Sequence, residues 1–327
     1  MRAHLIRRVL QSGLVLLVVG FVAFSMFRFV GDPVDNMLGP ERTQADIARL
    51  RTDLGLDRPI PVQYARYLAQ AVQGNLGVSY RLGRPVADIL AERAPATLEL
   101  AAVSGLLALV GGVALGVLTA IRRGGIATGV LMTLSLVGVS LPTFLIGIGL
   151  IYVFAICLGW LPSFGRGDTV QIGGWTTGLL TASGRRALIL PALTLGLYQM
   201  TLIMRLVRSQ MLEVLSHDHI RFARARGLPE WRVLFRHALQ NALVPVITVA
   251  GLQLGSIIAF AIVTETVFQW PGLGLMFINA IRFVDIPVMA AYLMLISAMF
   301  VAINLLVDLL YLFIDPRLRP AQQRSGG

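Results

Sequence analysis

Arg221, Arg224, Arg226, Arg232 and Arg236 crowd one polar stretch, residues 209–245, opposed there by Glu213, Asp218 and Glu230. The side chains that usually carry catalysis are scarce by comparison. No lysine occurs anywhere, so a phosphate-binding loop of the G-x-x-x-x-G-K-[ST] kind cannot be built and ATP hydrolysis by that route is excluded. Cys157 is the sole cysteine, which excludes an internal disulfide and a cysteine-based metal cluster. His4, His217, His219 and His237 are too scattered to suggest a zinc site, although His217 and His219 sit close together. None of the four falls within an apolar run, so a Ser–His pair inside a membrane is unavailable. What remains is contact chemistry, supplied by guanidinium forks on a polar segment.

The spacing inside that segment is ordered. Ser216 or Asp218 can cap a helix whose N-terminus favours an acidic side chain. Ala223 and Gly227 then lie four apart on one face, leaving little side chain between backbone and a partner. Arg221, Arg224 and Arg226 surround them. Gly227 ends the helix and Pro229 opens another over 230–239, so two short helices meet at a turn. A solvated loop obeying the preference for basic residues on the cytoplasmic side explains the charge. It does not explain a cap, a small-residue face and a stop arriving together. The pattern predicts a docking surface.

The elements that must position this surface are apolar. Of 327 residues, 56% are hydrophobic and 14% charged, and the mean hydropathy is +0.75, whereas soluble domains carry about 25% charged residues. We expect an all-α polytopic membrane protein. Runs near the roughly 20 residues a spanning helix needs fall at 9–27, 97–121, 130–158, 187–207, 242–267 and 287–313, the third broken or kinked at Pro142. The first reads as an uncleaved span, because it exceeds about 15 residues and no A-x-A-like site follows before Arg28. The expected organisation is a cytoplasmic N-terminus and first helix (1–31), a small extracytoplasmic scoop (32–96), a five-helix core (97–315) and a polar tail (316–327). The core carries the cytoplasmic loop 209–241. Within the scoop, 42–54 reads as a helix, and Pro61 starts another with Tyr64, Tyr67, Leu68 and Ala71 as its stripe. Residues 74–84 read as extended chain or a hairpin, and 85–93 as a further short helix. Six spans put both ends on one side. Fifteen arginines against four acids lie on that side and thirteen against twelve on the other, which places both termini in the cytoplasm.

Four residues in the spans stand out. Asp308 sits toward the inner end of the sixth, where a charge is costly, and fits either an ion relay or a structural pair with a nearby arginine. Glu265 closes the fifth, beside Thr264 and Thr266, and reads as a cap more than as a substrate contact. Gly251 and Gly255 have the small-xxx-small spacing that permits close helix crossing. No internal repeat is visible, which weakens an inverted-repeat transporter.

The segment ARARGL, with RHALQNAL downstream, resembles the cytoplasmic "EAA" loop of ABC importer permeases, in the form used by dipeptide and oligopeptide permeases. Arg221, Phe222 and Ala223 stand where E-A-A would, and Gly227 takes the glycine. His237 and Leu239 take the Ile and Leu of I-x-L-P, while Gln240 replaces its Pro. LGLDRPIPVQYARYL, GNLGVSY and ERAPATLELA resemble the external scoop and second-span entry of that family. ETVFQWPGLGLMFINAI resembles the segment before its last span, and DPRLRP its tail. The resemblance covers nearly the whole chain. It implies a type I ABC importer permease (MetI-like) fold of six transmembrane helices in a prokaryotic inner membrane, forming half of a translocation path for dipeptides or oligopeptides. It also implies a homologous second permease, one or two kinds of ATPase subunit and an extracytoplasmic binding protein. ATP and Mg would reside on the ATPases, with no cofactor on this chain. The ATPase contact would fall on Asp218, Arg221, Ala223, Arg224, Ala225, Arg226, Gly227, Leu228, His237, Leu239 and Asn241, with Gly227 allowing close approach. A gradient-driven secondary transporter or a channel is the alternative. It would need ion-coupling residues in the membrane, where only Asp308 plainly stands.

Overall fold

A computed structural model describes residues 2–29 and 57–314, with residues 43, 45 and 52 singly. The helix expected over 42–54 and the tail 316–327 lie outside the described residues, as does the side chain of Asp308. The chain divides into two compact units, one of residues 96–270 and 302–327 with residue 1, the other of 2–95 and 271–301.

The elements are α1 (Arg2–Phe29), α2 (Ile60–Val72), α3 (Val86–Ile121), α4 (Ile126–Ser140) and α5 (Thr143–Leu150). A hairpin follows, β1 (Val170–Ile172) and β2 (Trp175–Thr177), then α6 (Ala182–Ser216) and α7 (Asp218–Ala225). Next come α8 (Glu230–Arg232), α9 (Gln240–Val267), α10 (Leu273–Arg282) and α11 (Ile286–Ile314). Wide π-helical turns at Ile151–Cys157 and Val233–Leu239 extend α5 and join α8 to α9.

Several boundaries differ from the sequence expectation. The helix expected at 85–93 and the span at 97–121 are one rod, α3, which absorbs Pro95 at the loss of one backbone donor. Likewise α6 overruns the expected 187–207 at both ends and contains Pro191. Among the described residues, four helices are alone long and apolar enough to cross a membrane, at Leu10–Phe27, Val86–Ile121, Ala182–Ser216 and Ile286–Val307, and six spans result only if two bent pairs each count as one. The third expected span is the sharper case. Its halves, Ile126–Ser140 and Thr143–Cys157, turn by 113°. Leu141 is extended (φ −85, ψ 135), as a residue before proline prefers, and Pro142 offers no N–H to carry the ladder across. Each half is about 22 Å long, short of the roughly 30 Å hydrocarbon core.

The expected all-α chain also contains a two-stranded antiparallel hairpin, pairing Val170 with Thr177 and Ile172 with Trp175. Its two-residue Gly173–Gly174 turn has Gly173 at φ +60, the conformation such hairpins need and glycine supplies cheaply.

In the larger unit α6 is the central rod. It packs on α9, α5 and α4, and it crosses α3 at very short range. A Cβ at Gly112 would stand 2.9 Å from the Met200 carbonyl and 2.7 Å from Ile203, and one at Gly116 2.8 Å from the Met204 carbonyl. The crossing is therefore backbone against backbone, as small-xxx-small spacing allows. Gly116→Leu is expected to force the helices apart and cost about 1–3 kcal/mol by overpacking, read as a lower melting temperature of the detergent-solubilised chain.

Candidate functional site

The basic segment begins where α6 stops. Ser216 Oγ donates back to the Glu213 carbonyl at 2.6 Å, and extended His217 (φ −71, ψ 151) starts α7 with no side-chain cap. Neither Ser216 nor Asp218 is the cap their types suggested. Ser216 closes the preceding turn instead, while Asp218, in the first turn of α7, faces Arg221 at 3.6 Å in an open pair.

The end of α7 is a Schellman turn. Gly227 N–H donates to Arg224 O at 2.9 Å and Leu228 N–H to Ala223 O at 3.4 Å. Gly227 has φ +76 with open space where a Cβ would stand. The backbone conformation by itself thus calls for glycine here. Ala223 corrects the small-residue face further. It is buried with Ile220, Val233 and Ala238 against Val207, Met211 and Val214 of α6. Ala223 anchors α7 inward and does not face outward with Gly227.

The second expected short helix, 230–239, is the front of a longer one. Pro229 (φ −63, ψ 140) opens α8, whose wide turn runs straight into α9, with a bend of 44° at Leu243–Pro245. The angle between α7 and α8 is held by Arg224, whose Nη2 and Nε meet Glu230 Oε1 and Oε2 at 2.6 and 3.2 Å. That fork-to-fork hydrogen bonding holds the Glu230 carboxyl below its usual range and raises the Arg224 guanidinium. A lowered carboxyl contributes above the unfolded glutamate value and is lost as pH falls through the folded one. The clasp is therefore complete at neutral pH.

What this bracket presents is exposed and aromatic as well as basic. Phe222, Trp231 and Phe235 are 64%, 61% and 52% exposed. Arg226 lies over the Phe222 ring at 5.7 Å and Arg232 over Trp231 at 5.3 Å. Arg221 and Ala225 share the open side, Leu228, His237 and Leu239 are half-buried, and Asn241 Nδ2 ties to the His237 carbonyl at 2.7 Å. The aromatics were missed from sequence, though a signal existed. On a helix Phe222 stands about 200° from Ile220, so it cannot share the buried side with Ile220 and Ala223.

Gly251, Gly255 and Glu265 lie away from this bracket. Gly251 faces Val307 of α11 so closely that a Cβ would stand 2.8 Å from it, and Gly255 is buried. Glu265 is fully buried and accepts from Thr97 Oγ1 at 2.6 Å, away from any exposed surface of the chain.

Beside it stands a constellation that sequence reading overlooked, at the far end of α6 from α7. Glu99 of α3 and Arg166 form a buried ion pair. The Arg166 guanidinium also donates to Thr176 O at 2.7 Å and Thr176 Oγ1 at 3.1 Å. Glu99 Oε1 accepts from the Gly178 N–H at 3.1 Å. Trp270, fully buried, donates from Nε1 to the Ala96 carbonyl at 2.9 Å. The available signal was the carboxylate of Glu99 inside an apolar run, which needs a buried partner.

The chain is an apolar helical membrane component whose central rod ends in an exposed aromatic–arginine bracket. Its sequence places it within one family. Residues 112–320 match the binding-protein-dependent transport system inner membrane component family and residues 1–101 its N-terminal region, and the chain belongs to that family. It is 40% identical to the probable peptide ABC transporter permease protein y4tP of Sinorhizobium fredii, over 98% of this chain and 100% of that one. Identity to the probable D,D-dipeptide transport system permease protein DdpB of Escherichia coli K12 is 41%, over 96% of each. Among solved structures, inward-facing conformations of the MetNI methionine ABC transporter share the fold. One has a TM-score of 0.55 at 19% identity, covering 69% of this chain and 96% of that one. The type I importer fold expected from sequence is the one observed.

Proposed function

We propose that this chain is one of two homologous permeases of an ATP-driven importer for dipeptides or oligopeptides, with both termini in the cytoplasm and 32–96 on the opposite side. A binding protein delivers the peptide, and ATPase subunits, which hold the ATP and Mg, dock on the 209–241 bracket. The observation that carries this reading is the α7–α8 bracket itself. Its buried half is fixed to α6 through Ile220 and Ala223, so a force applied to Phe222, Trp231 and the arginines passes into the central rod. The peptide substrate is supported by the names of relatives about 40% identical over nearly their whole length.

Co-purification of the tagged chain from its native cell tests the assignment. The expected result is an ATPase, a second permease and a binding protein whose eluted ligand is a short peptide. Peptide uptake by the chain alone, driven by a proton or sodium gradient, would replace this reading with a secondary transporter.

A further inference from the structure

Helix α2 falls in the stretch expected to be an aqueous scoop, yet its contacts lie at membrane depth. On α1 the apolar window runs Leu10–Phe27, with exposed Arg7 and Arg8 before it. Tyr64 Oη donates to the backbone carbonyl of Leu17 at 2.5 Å. Leu17 lies nine residues past Arg8, about 14 Å along the axis and so near the middle of a core of about 30 Å. The Tyr64 ring meets Phe21 edge-on at 5.7 Å, and Tyr67 meets Phe24 and Phe27 at 6.0 and 5.6 Å.

A second helix gives the same depth from the other end. Tyr67 Oη donates to Met294 Sδ at 3.2 Å. Met294 lies eight residues into the apolar window that opens at Ile286, about 12 Å down α11. The choice of acceptors agrees. One hydroxyl uses a helix carbonyl and the other a thioether, a weak acceptor that water would outcompete.

The open side of α2 is mostly apolar, with Ile60, Val62 and Val72 50%, 44% and 89% exposed and Ala65 and Ala69 exposed between them. Arg66 and Gln70 are its exposed polar residues, and the long stem of Arg66 lets the guanidinium reach the headgroups.

We propose that α2 is an interfacial helix sunk into one leaflet of the bilayer, with its open face against lipid acyl chains. Helices of this kind bury their apolar face below the headgroups. Under the orientation given above the leaflet is the outer one. In that position α2 clamps α1 to α11 through Tyr64, Tyr67 and Leu68 and closes that flank of the unit to water.

The inference rests on reading the chain as a membrane permease, and the test separates the two. Single cysteines replace Val18, Val62, Val72 or Gly173 in a Cys157→Ala background, and each carries a nitroxide in the intact complex in nanodiscs. Collision with oxygen, which concentrates among acyl chains, is compared with collision with a water-soluble nickel chelate. At Val62 and Val72 the oxygen-to-nickel ratio is expected to shift to the value read at Val18, far above that at Gly173 of the hairpin. Nickel-dominated collision at Val62 and Val72 alone overturns the proposal, as does shielding of both from either reagent, which would mean a protein cover. Nickel-dominated collision at Val18 as well overturns the membrane reading itself.

Discussion

Glu99→Ala is expected to cost about 3–5 kcal/mol, because it leaves the Arg166 guanidinium buried with no counter-charge. The side chains are 2% and 7% exposed, so little solvent is present to screen the loss. The Gly178 N–H loses its acceptor in the same step. Thermal unfolding of the solubilised chain, followed by loss of the monodisperse chromatographic peak, measures the effect. Glu99→Leu combined with Arg166→Met should recover much of it, since an apolar pair of similar volume often matches a buried ion pair. If Glu99→Ala melts at the wild-type temperature, the buried pair does not hold α3 to the hairpin segment.

Gly227 provides the second large effect, with a series that separates two explanations. Gly227→Val forces a β-branched residue to φ +76, a region that costs an ordinary side chain about 1–2 kcal/mol and a branched one more. The Schellman turn should open, with loss of ATPase co-purification and of peptide uptake while membrane insertion persists. Gly227→Asn should retain most of both, because asparagine tolerates that conformation. Gly227→Trp combines strain with bulk and should fail like valine. Were asparagine to fail as completely as valine, close contact with the ATPase would be the reason for glycine, and backbone conformation would not.

The fold class was legible because hydropathy in a membrane chain is nearly one-dimensional, and long apolar runs announce themselves. Helix ends were less so. Pro95 fell between the expected 85–93 helix and the 97–121 span, and Pro191 inside the expected 187–207 span, yet both lie inside continuous rods, since packing of a long apolar helix outweighs one missing donor. Pro142 did break its helix. Nothing local distinguishes the three prolines, because the difference lies in what each helix packs against. At the docking segment the stop at Gly227 was readable from residue type alone. The inward turn of Ala223 was not, because alanine carries no signal of which side it faces. Glu99 and Arg166 are 67 residues apart, and no spacing rule connects such a pair.

The single rod α6 has a mechanical consequence. It runs 35 residues, about 52 Å, from the Thr181 turn beside the Glu99–Arg166 clasp to the bracket at His217. Its tightest crossing, Gly112 and Gly116 against Ile203 and Val207, is off-centre, about 16 Å from the bracket end and about 35 Å from the other. Pivoting there, the rod is a lever with unequal arms. Under the docking proposed above, a stroke of about 1 Å delivered at the bracket would emerge at the Thr181 end as about 2 Å in the opposite sense.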